Sequence, residues 1–376
     1  MAGQDALIPE FWASAFDELD TSGFQLQNLV SRDVEKYIAN SGDTVHVPIA
    51  PDIPAAADWD GTSDITATAV NQEVSSVILD KRKVASFELT SADMKLTPYR
   101  LIEVYGVPHA QSILEALNKD IYLELLKSPN VVDAISSFNE DTLTDMGTIL
   151  NKNRVSAVSR NMVINADDVG TLLKTSTYKL AQNAGTDVAQ VEGLIPRKSG
   201  FNIYNQLGMD GYTPADLTGA VNNGAGYSAG AKTIAVDGFA DSATPLRAGD
   251  VFKIAGETGT PYHTVQSTTT SSGNTVSITF EPALVSAVAD NAVITVTATK
   301  SNIGFKPNAI ALAARSQEPY PGNQGISQSI MMLAGLPIRI SIGTSIKNLK
   351  TQVIFDLLYG VKLINPKRVV RALRAA

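Results

Sequence analysis

Three histidines, His46, His109 and His263, are the imidazoles this chain can offer for acid–base chemistry near neutral pH or for metal ligation. They fall in three separate stretches, with no two at a metal-ligand spacing, and each reads as a structural histidine. There is no cysteine, which removes disulfides, thiolate nucleophiles and cysteine-held zinc or iron–sulfur. Asn165-Ala166-Asp167-Asp168-Val169-Gly170 opens like a calcium loop, but Val169 takes the fifth ligand position and Ser176 the closing one. Its Asn and Asp fit better as the cap of a following helix. Gly224, Gly226 and Gly230 miss the dinucleotide spacing by one residue and precede a strand. No phosphate-loop lysine motif, nucleophile elbow or glycosidase-like carboxylate pair occurs. Lys81-Arg82-Lys83 is the densest run of charge. It could touch phosphate, but a solvated strand face or half of an intersubunit ion pair suits it better. The expectation is a protein without catalytic, cofactor or metal sites.

The elements that would position these residues belong to a long and weakly charged chain. It has 376 residues, 44% hydrophobic and 18% charged, with 30 Lys+Arg against 38 Asp+Glu and a net charge of −8. A soluble chain usually carries roughly 25% charged residues. So few charges cover a large surface poorly, which points to burial against other chains. Net acidity argues against a dedicated nucleic-acid binder. No secretory signal is legible near the start, and no run approaches the ~18 apolar residues of a membrane span.

Seven acids against two bases mark the first forty residues, which also carry Phe11, Trp12, Phe16 and Phe24 without a clear helix or strand period. This reads as an arm (1–44) that needs a neighbouring surface. Val45, Val47 and Ile49 then alternate as a strand, Asp58-Trp59-Asp60-Gly61 signals a turn, and a return strand runs from Ser76 to Leu89. This excursion (45–90) lacks an apolar face of its own. Thr97-Pro98 and Pro108 precede Leu114, Leu117, Ile121 and Leu125, the strongest helical stripe, ended by Pro129. The helix is placed at 91–128. A helix–strand mixture follows at 129–227, then an all-β unit at 228–299 and a second mixed part at 300–376. There Ala309–Ala314 is helix-prone, and strands are expected near 336–342 and 353–363. The last thirty residues hold seven bases and one acid, a surface for nucleic acid or for the acidic arm.

Taken in order, these parts resemble the major capsid (coat) protein of tailed bacteriophages, and most of all its short-tailed-phage branch, where an inserted β-barrel interrupts the apical domain. Four stretches carry the resemblance. Arg160–Asn165 looks like the strand after the body helix, and Gly200–Tyr204 like the turn into an apical strand. Ala248–Gly256 looks like the opening of the inserted barrel, and Asp356–Lys362 like the C-terminal strand. The resemblance implies an α+β fold of N-arm, extended hairpin loop, spine helix, and peripheral and axial domains, with a small inserted all-β domain. It implies a structural protein of the virion, assembled in the host cytoplasm. Hexamers and pentamers would form a precursor shell, with scaffolding protein, a portal and a decoration protein as partners. Packaged DNA would be touched weakly and without sequence specificity. Phe11, Trp12, Trp59, Lys81, Arg82 and Lys83 are the intersubunit contact candidates. An encapsulin-like nanocompartment shares the fold but normally lacks an inserted barrel, and a carbohydrate-binding adhesin is a more distant alternative.

Overall fold

The computed structural model describes residues 25–35, 44–49, 58–59, 61–62, 73–90, 102–179, 183, 189, 195, 197–206, 217–238, 246–270, 275–317, 326–345 and 350–375. Residues 1–24 of the expected arm (1–44), with Phe11 and Trp12, and residues 36–43 lie outside them, whereas Leu26 and Val30 pack in the chain's own core, so this part of the arm needs no neighbouring surface. After a four-residue helix, α1 (Leu26–Leu29), strand β1 (Thr44–Ile49) pairs antiparallel with β2 (Glu73–Ile78). In β1, Val45, Val47 and Ile49 are half-buried while Thr44, His46 and Pro48 are exposed, as the alternation predicts.

The return strand differs from expectation. It breaks at Leu79-Asp80, and its second half, β3 (Lys81–Leu89), leaves the hairpin to pair along β17 (Lys350–Leu363). The break has a physical cause. Val77 and Leu79 turn inward onto Val34, Ala311, Ala313 and Leu358, a small apolar cluster at the hairpin's root. There the chain crosses β17 at Gly360, where a Cβ would stand 2.1 Å from the Ile78 carbonyl oxygen. Only glycine permits that approach.

A π turn (Ile102–Gly106) leads into helix α2 (Val107–Leu125), 19 residues and about 28 Å long. Residues 91–101 of the expected helix lie outside the described residues, and its end comes at Leu125. The Ile113, Leu114, Leu117, Ile121 and Leu125 stripe is buried against a sheet ordered β14 (Ile310–Arg315), β17, β16 (Leu336–Ser345), β15 (Ile326–Leu333), with β3 on β17's other edge. Strand β14 replaces the helix expected at Ala309–Ala314. Alanine favours helix intrinsically. Here Ile310 to Ala314 are all buried and bonded to β17, and a strand covered on both faces shows no alternation to read.

A second sheet orders β4 (Val131–Asp133), β18 (Val369–Ala375), β13 (Thr299–Phe305), β5 (Arg160–Ile164) and β6 (Phe201–Asn205). Helix α3 (Glu140–Lys152) packs on it through Leu143, Met146 and Leu150. A reciprocal cap starts α3: Asn139 Oδ1 accepts from Thr142 N–H at 3.0 Å, and Thr142 Oγ1 from Asn139 N–H at 3.4 Å. Helix α4 (Ala166–Leu173) begins after Asn165, whose side chain does not cap it. The expected cap residue Asp168 is instead buried, accepting from Asn302 Nδ2 at 2.7 Å and pairing with Arg374 Nε at 2.8 Å.

Between β6 and β13 lies a closed six-stranded barrel, β7 (Leu217–Val221), β8 (Thr233–Asp237), β9 (Val251–Ile254), β10 (His263–Thr270), β11 (Val276–Glu281) and β12 (Val293–Val296). It starts before residue 228, because β7 (Leu-Thr-Gly-Ala-Val) is too poor in β-branched residues to announce itself. Ala248–Gly256 thus carries the third strand rather than the opening. Asp356–Lys362 lies in β17, the penultimate strand, since β18 follows it.

The barrel sits on the body through a polar seam. Arg371 of β18, 1% exposed, donates to Gly249 O at 2.7 Å and to Thr264 Oγ1 at 2.9 Å. Thr264 Oγ1 donates to Ser128 O and Gln266 Nε2 to Lys127 O, both in the segment just after α2. Tyr262 OH donates to Asp133 at 2.8 Å. The basic tail is therefore partly internal: Arg371 is a buried joint and Arg374 an ion-pair partner. Arg371→Met is expected to cost about 2–3 kcal/mol in chemical denaturation, the value of two charge-assisted bonds left unmade. An unchanged midpoint would contradict the joint.

Candidate functional site at the root of the hairpin

Strand β3 alternates around the sheet, so Lys81 and Lys83 face α2 while Arg82 points to the opposite face. Lys81 Nζ and Lys83 Nζ lie 3.3 and 3.6 Å from Asp120 Oδ2 on α2. The same oxygen accepts from Tyr359 OH of β17 at 2.7 Å. On the other face Arg82 pairs with Asp356 of β17, which also accepts from Arg339 Nε at 3.1 Å. Asp356 and Arg339 are 4% and 3% exposed. The three cations thus find their carboxylates within the chain, and between them they fasten the first residues of β3 to both faces of the sheet. No signal in the sequence tied them to Asp120 and Asp356, which lie 39 and 274 positions from Lys81 and Arg82 respectively.

Burial alone would raise the Asp120 carboxyl. The Tyr359 hydrogen bond and the Lys81 and Lys83 charges outweigh that and hold it below its ordinary 3.8. Burial, then the Asp120 bond and charge, push the Tyr359 phenol far up, so it stays a donor throughout the accessible range.

Trp59 is 63% exposed, and on β2 Val74 and Ile78 are 54% and 45% exposed. Among the described residues, Trp59 and Val74 are therefore exposed apolar side chains of the excursion, and Ile78 is one at its root.

The histidines hold structural positions. His46 Nδ1 meets Ser76 Oγ across the hairpin at 3.0 Å, and His109 Nδ1 meets Tyr105 O at 2.6 Å. His263 is fully buried in the barrel between the rings of Phe252 and Phe280. Its Nδ1 lies 2.8 Å from Pro282 O and its Nε2 2.6 Å from Glu257 Oε2, whose other oxygen accepts from Val285 N–H. Among the described residues no three His, Asp or Glu gather as a metal site, and no helix is long and apolar enough to cross a membrane. What this arrangement does is fasten the first residues of β3 to α2 and β17.

Asp120→Asn is expected to destabilise the fold by about 1 kcal/mol at neutral pH, discounted because both lysines are partly exposed. The folded carboxyl lies below its unfolded value. Its contribution is therefore full above about pH 4 and is lost as acid protonates the folded group. Urea unfolding at pH 7 and pH 3 should show the penalty at pH 7 shrinking at pH 3. A penalty equal at both would contradict the assignment.

No protein-family model matches the chain, and no curated protein does. Among solved structures, a chain of Mycobacterium phage Che8 is 15% identical with a TM-score of 0.54, over 94% of this chain and 93% of that one. The capsid structure of cyanophage P-SCSP1u is 11% identical at a TM-score of 0.49, over 90% and 85%. The capsid of an empty GTA particle is 8% identical at 0.49, over 95% and 91%. At these identities the likeness is one of fold, and this chain shares its fold with the chain of Mycobacterium phage Che8.

Proposed function

We propose that this chain is the shell subunit of a tailed-phage head, self-assembling as hexamers and pentamers into an icosahedral capsid around double-stranded DNA. The observation that carries the reading is the likeness of fold to the Mycobacterium phage Che8 chain, which spans nearly all of both chains. The projection adds a physical reason. A lone two-stranded hairpin is marginal in water. β1–β2 has an apolar cluster at its root, while Val74 and Trp59 are exposed, and so is Ile78 beside that cluster. Such a surface gains burial on another copy, and weak contacts repeated by symmetry sum to a closed shell.

On this reading Trp59 is a contact to a neighbouring subunit, and Lys81, Arg82 and Lys83 hold the projection at the angle that contact requires. The arm with Phe11 and Trp12 embraces a neighbour in the same way. The shell forms first as a precursor with scaffolding protein and portal in the host cytoplasm, matures as DNA enters, and accepts a decoration protein. The barrel between β6 and β13 favours the short-tailed coat branch over an encapsulin-like nanocompartment, which normally lacks one.

Negative-stain microscopy of the purified protein is expected to find closed shells of uniform diameter. Trp59→Ala combined with Val74→Asp should keep the circular dichroism spectrum and unfolding midpoint of the native chain but form no shells. Normal shells from that variant, or a wild-type chain that never assembles, would contradict the reading.

A further inference from the structure

A strand at the edge of a sheet presents N–H and C=O groups that another strand can pair with. Proteins blunt such edges with charge, proline, short strands or a cover. Most open edges among the described residues carry one of these devices. β4 and β6 are three and five residues long. β1 holds Pro48, β2 holds Glu73, and β3 holds Lys81, Arg82, Lys83 and Glu88. Ser31 lies along the outer edge of β14 and accepts from Leu312 N–H at 2.9 Å. The barrel is closed.

β15 is the exception. It ends its sheet, pairs with β16 through all eight of its residues, and meets no described strand on its other side. Its sequence, Ile-Ser-Gln-Ser-Ile-Met-Met-Leu, holds no charge, proline or glycine. Met331 and Leu333 anchor one face in the main core. On the other face Ile326, Ile330 and Met332 are 41%, 42% and 54% exposed. The turn that joins β15 to β16 is itself pinned. Arg32 Nη2 donates to Gly335 O at 2.8 Å, while Arg32 Nε donates to Glu35 at 2.8 Å. A long, neutral and partly apolar edge is thus held in place and left open.

We propose that β15 docks against β15 of a second copy of this chain, antiparallel about a two-fold axis at Ser329. Directly opposed residues of such a pair share a face. In this register Ile326 meets Met332 and Gln328 meets Ile330, twice over, and the exposed apolar side chains of both copies gather on one face. Two neutral edges also approach without charge repulsion. The other open edges among the described strands would bring charge, proline or too few residues. The contact is isologous, so it closes on itself. The inference rests on the shell reading for its neighbouring copies and deepens it by naming an edge that joins them.

The chain has no cysteine, so a single introduced one reports this contact cleanly. Opposed Cα atoms of an antiparallel pair lie about 4.5–5.5 Å apart, within disulfide reach. Full-length Ser329→Cys, treated with oxidised glutathione, is expected to run mostly as a linked dimer on a non-reducing gel. Ser327 is the more exposed of the two serines, but in this register it lies about 13 Å from its symmetry mate. Ser327→Cys should therefore stay unlinked. Ile330→Lys added to Ser329→Cys should abolish the link and leave the unfolding midpoint unchanged. Equal linking of both cysteines, no linking at Ser329→Cys, or a link that survives Ile330→Lys would overturn the inference. So would slow hydrogen exchange along β15 in a chain that stays monomeric, which would give the edge to another segment of the same chain. Well-formed shells whose Ser329→Cys subunits stay unlinked defeat this inference alone, whereas linked pairs in a chain that never forms shells defeat the shell reading.

Discussion

The structure depends on what β17 is made to carry. This 14-residue strand pairs with β16 and then β14 along one edge and with β3 along the other. Its Asp356 holds Arg82 and Arg339 on one face, its Tyr359 holds Asp120 of the long helix on the other, and its Gly360 makes room for the chain to leave as β2. Three consecutive requirements for a carboxylate, a phenol and a missing side chain thus fall within five residues. Helix, sheet and projection are joined at this one place.

The joint places charges out of water. A buried aspartate between two guanidiniums is weak grounds for net stability, since desolvation offsets much of the attraction, but removing one partner leaves an uncompensated charge. The same logic holds at the barrel, where buried Arg371 answers to backbone and hydroxyl oxygens across the seam. Both junctions tie together parts that lie far apart in the sequence.

Much of the architecture was legible in the sequence. The stripe from Leu114 to Leu125, the alternation at Val45–Ile49 and the short punctuated strands of the barrel follow periodicities set by helix and strand geometry. What escaped the sequence is tertiary. Ile310–Ala314 looks helical because a strand buried on both faces loses its alternation. β7 has too little strand character to mark where the barrel starts. The Lys81-Arg82-Lys83 run reads as a surface patch until the fold brings Asp120 and Asp356 to it. Arg371 looks like part of a basic tail until β18 is seen beneath the barrel. Long-range partners of single charges leave no local trace, which is why the site's residues were named more readily than their roles.

The central claim is that the root of the hairpin is complete within one chain while the projection beyond it is completed by another. Hydrogen–deuterium exchange on unassembled and assembled protein tests this directly. Amides of β3 and β17 should be protected in both states, and those of β1 and β2 should exchange fast in the free chain and slowly in the shell. Equal, strong protection of β1 and β2 in a chain that remains a monomer would contradict the account.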